Sequence, residues 1–306
     1  MLGTFVDKVS GLFDRRFLMG WWAPVFVTSA VALILALTPY GLDQAWTWWQ
    51  GQEELAQTWM VVTALLLVTA FAYILRAFLR PMIRLYEGYW PQWLRRWPTK
   101  SVKRRVGRWN KAQIRAAQSD PERYADLQDA LYYGYPSQTT LLLPTRLGNA
   151  LRAAEEYGYV TYGLDSAFWW SRLADLLPVS TQEGISDALT PVATLLNLAS
   201  LSAVVAVAGA IFWWQQRAGG WLGPALVLLL GLLLARVCYL GAVSQARSYG
   251  QQLRTAVDLY RWDLLKALHQ PLPKTPQEER VLWHRLAMWL YNQDRGVLRG
   301  LDYHHE

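Results

Sequence analysis

Four apolar stretches run along this chain: Met19 to Thr38, Trp59 to Leu75, Pro191 to Trp214 and Trp221 to Val243. Each approaches or exceeds the length of about 20 residues that an α-helix needs to cross a hydrocarbon core about 30 Å thick. The second reaches that length at Leu79 once Arg76 snorkels toward the headgroups. Backbone polar groups inside lipid must be satisfied within their own segment, so such stretches fold as helices. The expected class is an all-α integral membrane protein, with four transmembrane helices in two hairpins and a helical cytoplasmic domain.

Charge sorts by side. Between the first two stretches there is no Lys or Arg, only Asp43, Glu53 and Glu54, whereas the chain after Leu75 is strongly basic. The excess of Lys and Arg on cytoplasmic loops places both termini and residues 76–190 inside, with Arg217 on the wrong side. Indole rings prefer the headgroup level, and the tryptophans agree. Trp21 and Trp22 mark one end of the first span, Trp46, Trp48, Trp49 and Trp59 the first outer connection, and Trp213, Trp214 and Trp221 the second.

The first span follows a polar segment containing Lys8, Arg15 and Arg16 and lacks a small-x-small cleavage site, so it reads as a retained helix rather than a signal peptide. The expected organisation is an amphipathic N-terminal segment over 1–18, hairpins over 19–80 and 191–243, a basic cytoplasmic region with an interfacial helix over 81–190, and a cytoplasmic helical pair over 244–306.

The net charge of +7 is concentrated. Arg95, Arg96, Lys100, Lys103, Arg104, Arg105, Arg108, Lys111 and Arg115 follow one another with no acidic residue among them. This block lies close to the end of the second span, where each Lys or Arg near an anionic leaflet contributes about 1 kcal/mol. Lys100, Lys103, Arg104, Arg105 and Arg108 are therefore candidate lipid-binding residues, ahead of nucleic-acid binding. Trp93, Trp97 and Trp109 interleave with them, which suits an interface as well as it suits base stacking.

Local signals set out the polar segments. Pro91 and Pro98 are expected to break the helix that leaves the second span. Asp120-Pro121-Glu122 opens a helix that should end near Gly134. Thr145 can cap a helix ending at Gly158, and Asp165 a second one ending before Pro178. The latter carries Phe168, Trp169, Trp170, Leu173, Leu176 and Leu177, is too short to span, and reads as interfacial or re-entrant. After the fourth span, Leu253, Val257, Tyr260, Leu264 and Leu268 keep a helical period. Thr275-Pro-Gln-Glu278 is a capping box that launches a last helix through Leu282, Leu286, Trp289 and Leu290. These two apolar faces are expected to pair, with the helix at Asp120 joining them.

The runs Pro144-Thr-Arg-Leu-Gly-Asn149, Tyr162-Gly-Leu-Asp165, Arg84-Leu-Tyr-Glu-Gly-Tyr-Trp-Pro91 and Glu278-Glu-Arg-Val-Leu-Trp283 resemble those of a family of bacterial multi-pass membrane proteins carrying a PTRLGN motif. That resemblance implies an architecture only and no activity, and the expected location is a bacterial inner membrane.

Catalytic chemistry has no visible seat. Walker, GxSxG and HExxH patterns are missing, so neither an enzyme nor a cofactor is expected. The lone Cys238 lies in the fourth span and reads as a buried thiol; His304 and His305 read as a tail rather than a metal site. Polar residues within spans are expensive and point to function, which singles out Thr194, Asn197 and Ser200 as pore-lining or interhelical. Ala199, Ala203, Ala206 and Ala210 form a small-residue seam that serves either packing within the monomer or self-association. Arg146, Asn149, Arg152, Glu155, Tyr162, Asp165 and Arg172, together with Glu156, Tyr157 and Tyr159, form a polar aromatic cluster that reads as a structural network or a headgroup, nucleotide or ion site.

Two functions follow as expectations. One is an oligomeric pore or ion channel, a symmetric homo-oligomer because four spans cannot enclose a path alone. The other is a non-conducting scaffold that recruits a cytoplasmic partner or anionic lipid.

Overall fold

The computed structural model describes residues 15–217 and 220–292, and all regular structure among them is helical. Among the described residues four helices are long and apolar enough to cross a membrane: Leu18–Tyr40, Glu54–Ala77, Val179–Gln215 and Leu222–Ala267. The chain divides into two compact units. An apolar unit takes the chain through Ile83 together with Thr190–Ala242, and a polar unit takes Arg84–Leu189 and the chain from Val243.

In the apolar unit a π-helical turn, Leu18–Trp22, leads into α1, Ala23–Leu37. The connection that follows is not plain loop, because it folds into the short helix α2, Leu42–Gln50, with Asp43 in its first turn where the helix dipole favours an anion. α3, Glu54–Ala77, stops at Phe78, so the second span ends two residues short of Leu79. A short α4, Leu79–Glu87, carries the chain away. Phe17, Trp21, Val25, Ala72 and Ala193 form the core here. Indole donors tie the helices together, Trp22 Nε1 to Thr69 Oγ1 at 3.0 Å and Trp213 Nε1 to the carbonyl of Leu35 at 2.8 Å.

α9, Val179–Gln215, and α10, Leu222–Ala267, each run through parts of both units. Inside the apolar unit they approach closely at Gly231, where an added β-carbon would collide with Ala206 and come within 3.3 Å of the Ser202 carbonyl. Small residues allow such contact between helices in lipid. Ala206 is buried at this contact and Ala199 is buried as well, which assigns that part of the seam to packing within the monomer.

In the polar unit the end of α4 is followed by α5, Gln92–Ser119. Pro98 sits inside this helix instead of ending it. Burial of Val102 and Val106 against Leu131, Tyr135 and Leu142 holds the helix beyond the proline. α6, Pro121–Gly134, is capped by Asp120, which accepts from the Arg123 N–H at 3.1 Å. It packs along α5 and meets α10 where Arg254 donates to the Tyr132 carbonyl, while none of its residues belongs to the core of the tail pair.

α7, Arg146–Tyr162, and α8, Ser166–Leu176, start at their caps Thr145 and Asp165. α7 outruns Gly158 by a turn and closes at Gly163, whose φ of +81° is the left-handed conformation that glycine adopts without strain. α11, Pro276–Asn292, is capped by Thr275; the Glu278 carboxylate accepts from the Lys274 N–H at 2.8 Å, one residue earlier than a standard box.

The main core joins α8, the end of α10 and α11: Trp169, Leu173, Val257, Leu264, Leu265, Trp283 and Leu286 are all buried. Trp169 and Trp283 meet with ring centroids 5.4 Å apart. The aromatic residues that gave α8 an interfacial appearance therefore have protein partners, and its apolar side is spent on this core.

Candidate functional site

The Pro144–Asn149 motif is a joint. Thr145 Oγ1 accepts from the Gly148 N–H at 3.0 Å and donates to the Glu87 carbonyl at 2.9 Å, fastening the end of α4 to the start of α7. Leu147 is fully buried. Asn149, equally buried, accepts from the Leu143 N–H at 2.9 Å and donates to the Leu143 and Thr145 carbonyls. Its carboxamide thus serves backbone groups that the loop leaves without partners. Arg146 is exposed.

The polar residues singled out beyond this motif do not meet at one point. Arg152 pairs with Glu155 at 3.0 Å along the helix, while Glu156 turns away to accept from the N–H and hydroxyl of Ser137, each at 2.9 Å. Asp165 is occupied as a cap, and Arg172 lies over the Phe168 and Trp169 rings at 4.9 and 5.4 Å. Tyr159 is exposed. Tyr162 finds an unanticipated partner, because its hydroxyl and that of Tyr157 both donate to Asp258 Oδ1 at 2.8 Å. Burial first, then the hydrogen bond to this carboxylate, pushes the Tyr157 phenol well above its ordinary range, so it remains a neutral donor.

Arg261 extends the network by pairing with Glu279 at 2.9 Å and stacking over Tyr162 at 4.0 Å. Arg254 is buried, donates to the Tyr132 and Ala153 carbonyls, and faces the rings of Tyr132, Tyr133 and Tyr157 at 4.2 to 5.2 Å. Its charge is stabilised by π faces rather than by a carboxylate. None of Asp258, Arg254 and Arg261 stands out in sequence, because each is a polar residue within a periodic helix, and Glu279 falls in the 278–283 run without any sign of its distant partner.

The basic helix offers an open face. Lys100, Lys103, Arg104 and Arg108 are exposed and Arg105 is half-buried, while Val102 and Val106 of the same helix are in the core. Among the described residues no ion pair engages these five cations, nor Arg95 and Arg96. Two of the cavities along α5 are lined by its cations. One of about 720 Å³ is lined by Trp93, Arg95, Arg96, Thr99, Lys100 and Lys103. The other, of about 290 Å³, shares Arg95, Thr99 and Lys103 and closes against residues 140–144, Tyr89 and Arg152. Trp93 is 74% exposed, which is unusual for an indole and suits a headgroup level.

In the apolar unit Asn197 is 1% exposed and both polar atoms of its carboxamide lack a hydrogen-bond partner. Ser200 donates to the Leu196 carbonyl at 2.9 Å and Thr194 to that of Thr190 at 2.9 Å, both within α9. Cys238 is buried. Among the described residues no three His, Cys, Asp or Glu side chains gather as a metal site; His304 and His305 lie outside the described residues.

No family model, curated protein or solved structure matches the chain.

Proposed function

We propose that the chain is a multi-pass membrane scaffold that holds anionic lipid through the basic face of α5. In this reading the four apolar helices cross a bacterial inner membrane as two hairpins, and the polar unit and both chain ends lie on the cytoplasmic side. The carrying observation is the division of α5 into a buried seam at Val102 and Val106 and a cationic face at Lys100, Lys103, Arg104 and Arg108. An amphipathic basic helix of this kind binds a negatively charged leaflet through its charges and exposed aromatic residues. Charge location along the sequence supports the orientation.

The test is lipid retention. The purified chain should carry phosphatidylglycerol through detergent exchange, and changing Lys100, Lys103, Arg104 and Arg108 together to Gln should release it while the helix content stays unchanged. Retention by the fourfold variant equal to that of the parent would sink the reading.

An oligomeric, ion-conducting pore is the second reading, and Asn197 is the observation in its favour, since a buried carboxamide without a partner inside an apolar helix calls for water, an ion or a neighbour. It ranks lower because a lumen shared between copies would be walled by outward-facing side chains. On the described spans these include Leu66, Leu67, Leu229, Leu230 and Leu233. Conductance of the reconstituted chain, and its change in Asn197→Leu, decides this point.

A further inference from the structure

The smaller cavity beside α5 goes further than a charged surface does. Its cations come from two helices far apart in sequence: Arg95 and Lys103 from α5, and Arg152 from α7. No Asp or Glu side chain lines it. Arg152 spends one nitrogen, Nη1, on Glu155, which leaves its other donors for a ligand. The Thr99 hydroxyl donates to the Arg95 carbonyl at 2.7 Å and so offers no proton, whereas burial and the nearby carboxylates of Glu155 and Glu87 keep the Tyr89 phenol protonated. The rest of the wall is Thr140 and the apolar run Leu141 to Pro144.

Three cations converging on about 290 Å³ match the charge and donor needs of a phosphate group, for which arginine is the preferred side chain. An apolar wall beside that charge, and an exposed Trp93 on the adjoining cavity, match a ligand that continues into hydrocarbon. Building on the anionic-lipid reading, we propose that this cavity is a phosphate-ester site that takes the headgroup of an anionic phospholipid, with Arg95, Lys103 and Arg152 as its cationic ligands.

The experiment is native mass spectrometry of the full chain in mild detergent, titrated with phosphatidylglycerol, with phosphatidylcholine, and with glycerol phosphate as the soluble form of the same chemistry. Two double variants remove equal charge: Arg95→Gln with Arg152→Gln inside the cavity, and Arg108→Gln with Lys111→Gln outside it. The outside pair should weaken lipid binding about fivefold per charge at most, the worth of a cation near a surface. The cavity pair should weaken it by a further factor of about ten or more, the worth of lost charge-assisted hydrogen bonds. Arg152→Lys, which keeps the charge and removes the fork, should fall between, and unchanged thermal melting of each variant shows that folding is not the cause.

Glycerol phosphate binding as tightly as the lipid would uphold the phosphate site and assign it to a soluble ester. Preference for the lipid over glycerol phosphate and phosphatidylcholine would uphold the headgroup. Equal losses from the two pairs would overturn the cavity and leave the general basic face standing. No retained anionic lipid on the parent chain would overturn both.

Discussion

Gly148 stands directly against the carbonyl oxygen of Glu87, which fills the space where a side chain at position 148 would begin. Gly148→Ala must therefore push α7 away from the end of α4, and the Thr145 hydrogen bond to the same carbonyl goes with it. Overpacking of this kind costs about 1 to 3 kcal/mol. Thermal unfolding in detergent should show a lower midpoint for Gly148→Ala, whereas Arg146→Ala, at the exposed position of the same motif, should leave it unchanged.

The Arg261–Glu279 pair is shielded, with side chains 14% and 7% exposed, and Glu279 also accepts from Trp262 Nε1 at 3.2 Å. Glu279→Ala leaves a guanidinium without its carboxylate in a low-dielectric setting, a loss of about 3 kcal/mol. Glu279→Gln retains an acceptor and should lose less. Hydrogen exchange along Pro276–Asn292 should accelerate in the order parent, Gln, Ala.

Acid should favour the fold at Glu87. Burial, and then the charge of Glu155, raises its carboxyl above the ordinary value of 4.5, against the lowering influence of Arg84 and Arg152. A raised acid binds its proton more tightly when folded, so its contribution is fully present below the unfolded pKa and is lost as pH climbs through the folded one. Glu87→Gln should raise the melting midpoint at pH 7 and give no gain near pH 4. A gain that is the same at both values would show that the effect is not ionisation.

In the apolar unit the contact of Gly231 with Ala206 leaves no room for a larger residue. Gly231→Leu should separate α9 from α10 and destabilise by about 1 to 3 kcal/mol. Cys238, the chain's single cysteine, lies buried on α10 and reports the change directly. Maleimide labelling, slow in the parent, should quicken in the variant.

What could be read from the sequence followed the range of the forces involved. Thr145, Asp120, Asp165 and Thr275 were legible as caps because a cap acts within three or four residues. Helix ends were less so. Gly158 reads as a stop, yet the helix passes through it and Gly163 makes the stop instead; the glycine at 158 leaves room for Ser166 Oγ and the Leu164 carbonyl, which stand where a β-carbon would be. Pro98 looked like a break, and tertiary burial of Val102 and Val106 carries the helix beyond it.

The network around Asp258 was invisible, since its hydroxyl donors lie 96 and 101 residues away. Arg95, Lys103 and Arg152 were each conspicuous as charges, but only the fold brings them to one cavity.

Asn149 has a bearing on how the polar unit is assembled in time. Its three backbone partners lie four to six residues away, so the loop from Leu143 can take its final shape without waiting for any distant strand of chain. Closing a loop of about ten residues takes tens of nanoseconds, far less than the search for a partner such as Glu87, 58 residues from Thr145. The segment is therefore expected to form before the end of α4 lands on it, and Asn149→Ala should slow refolding as well as lower stability, which refolding kinetics in detergent would read.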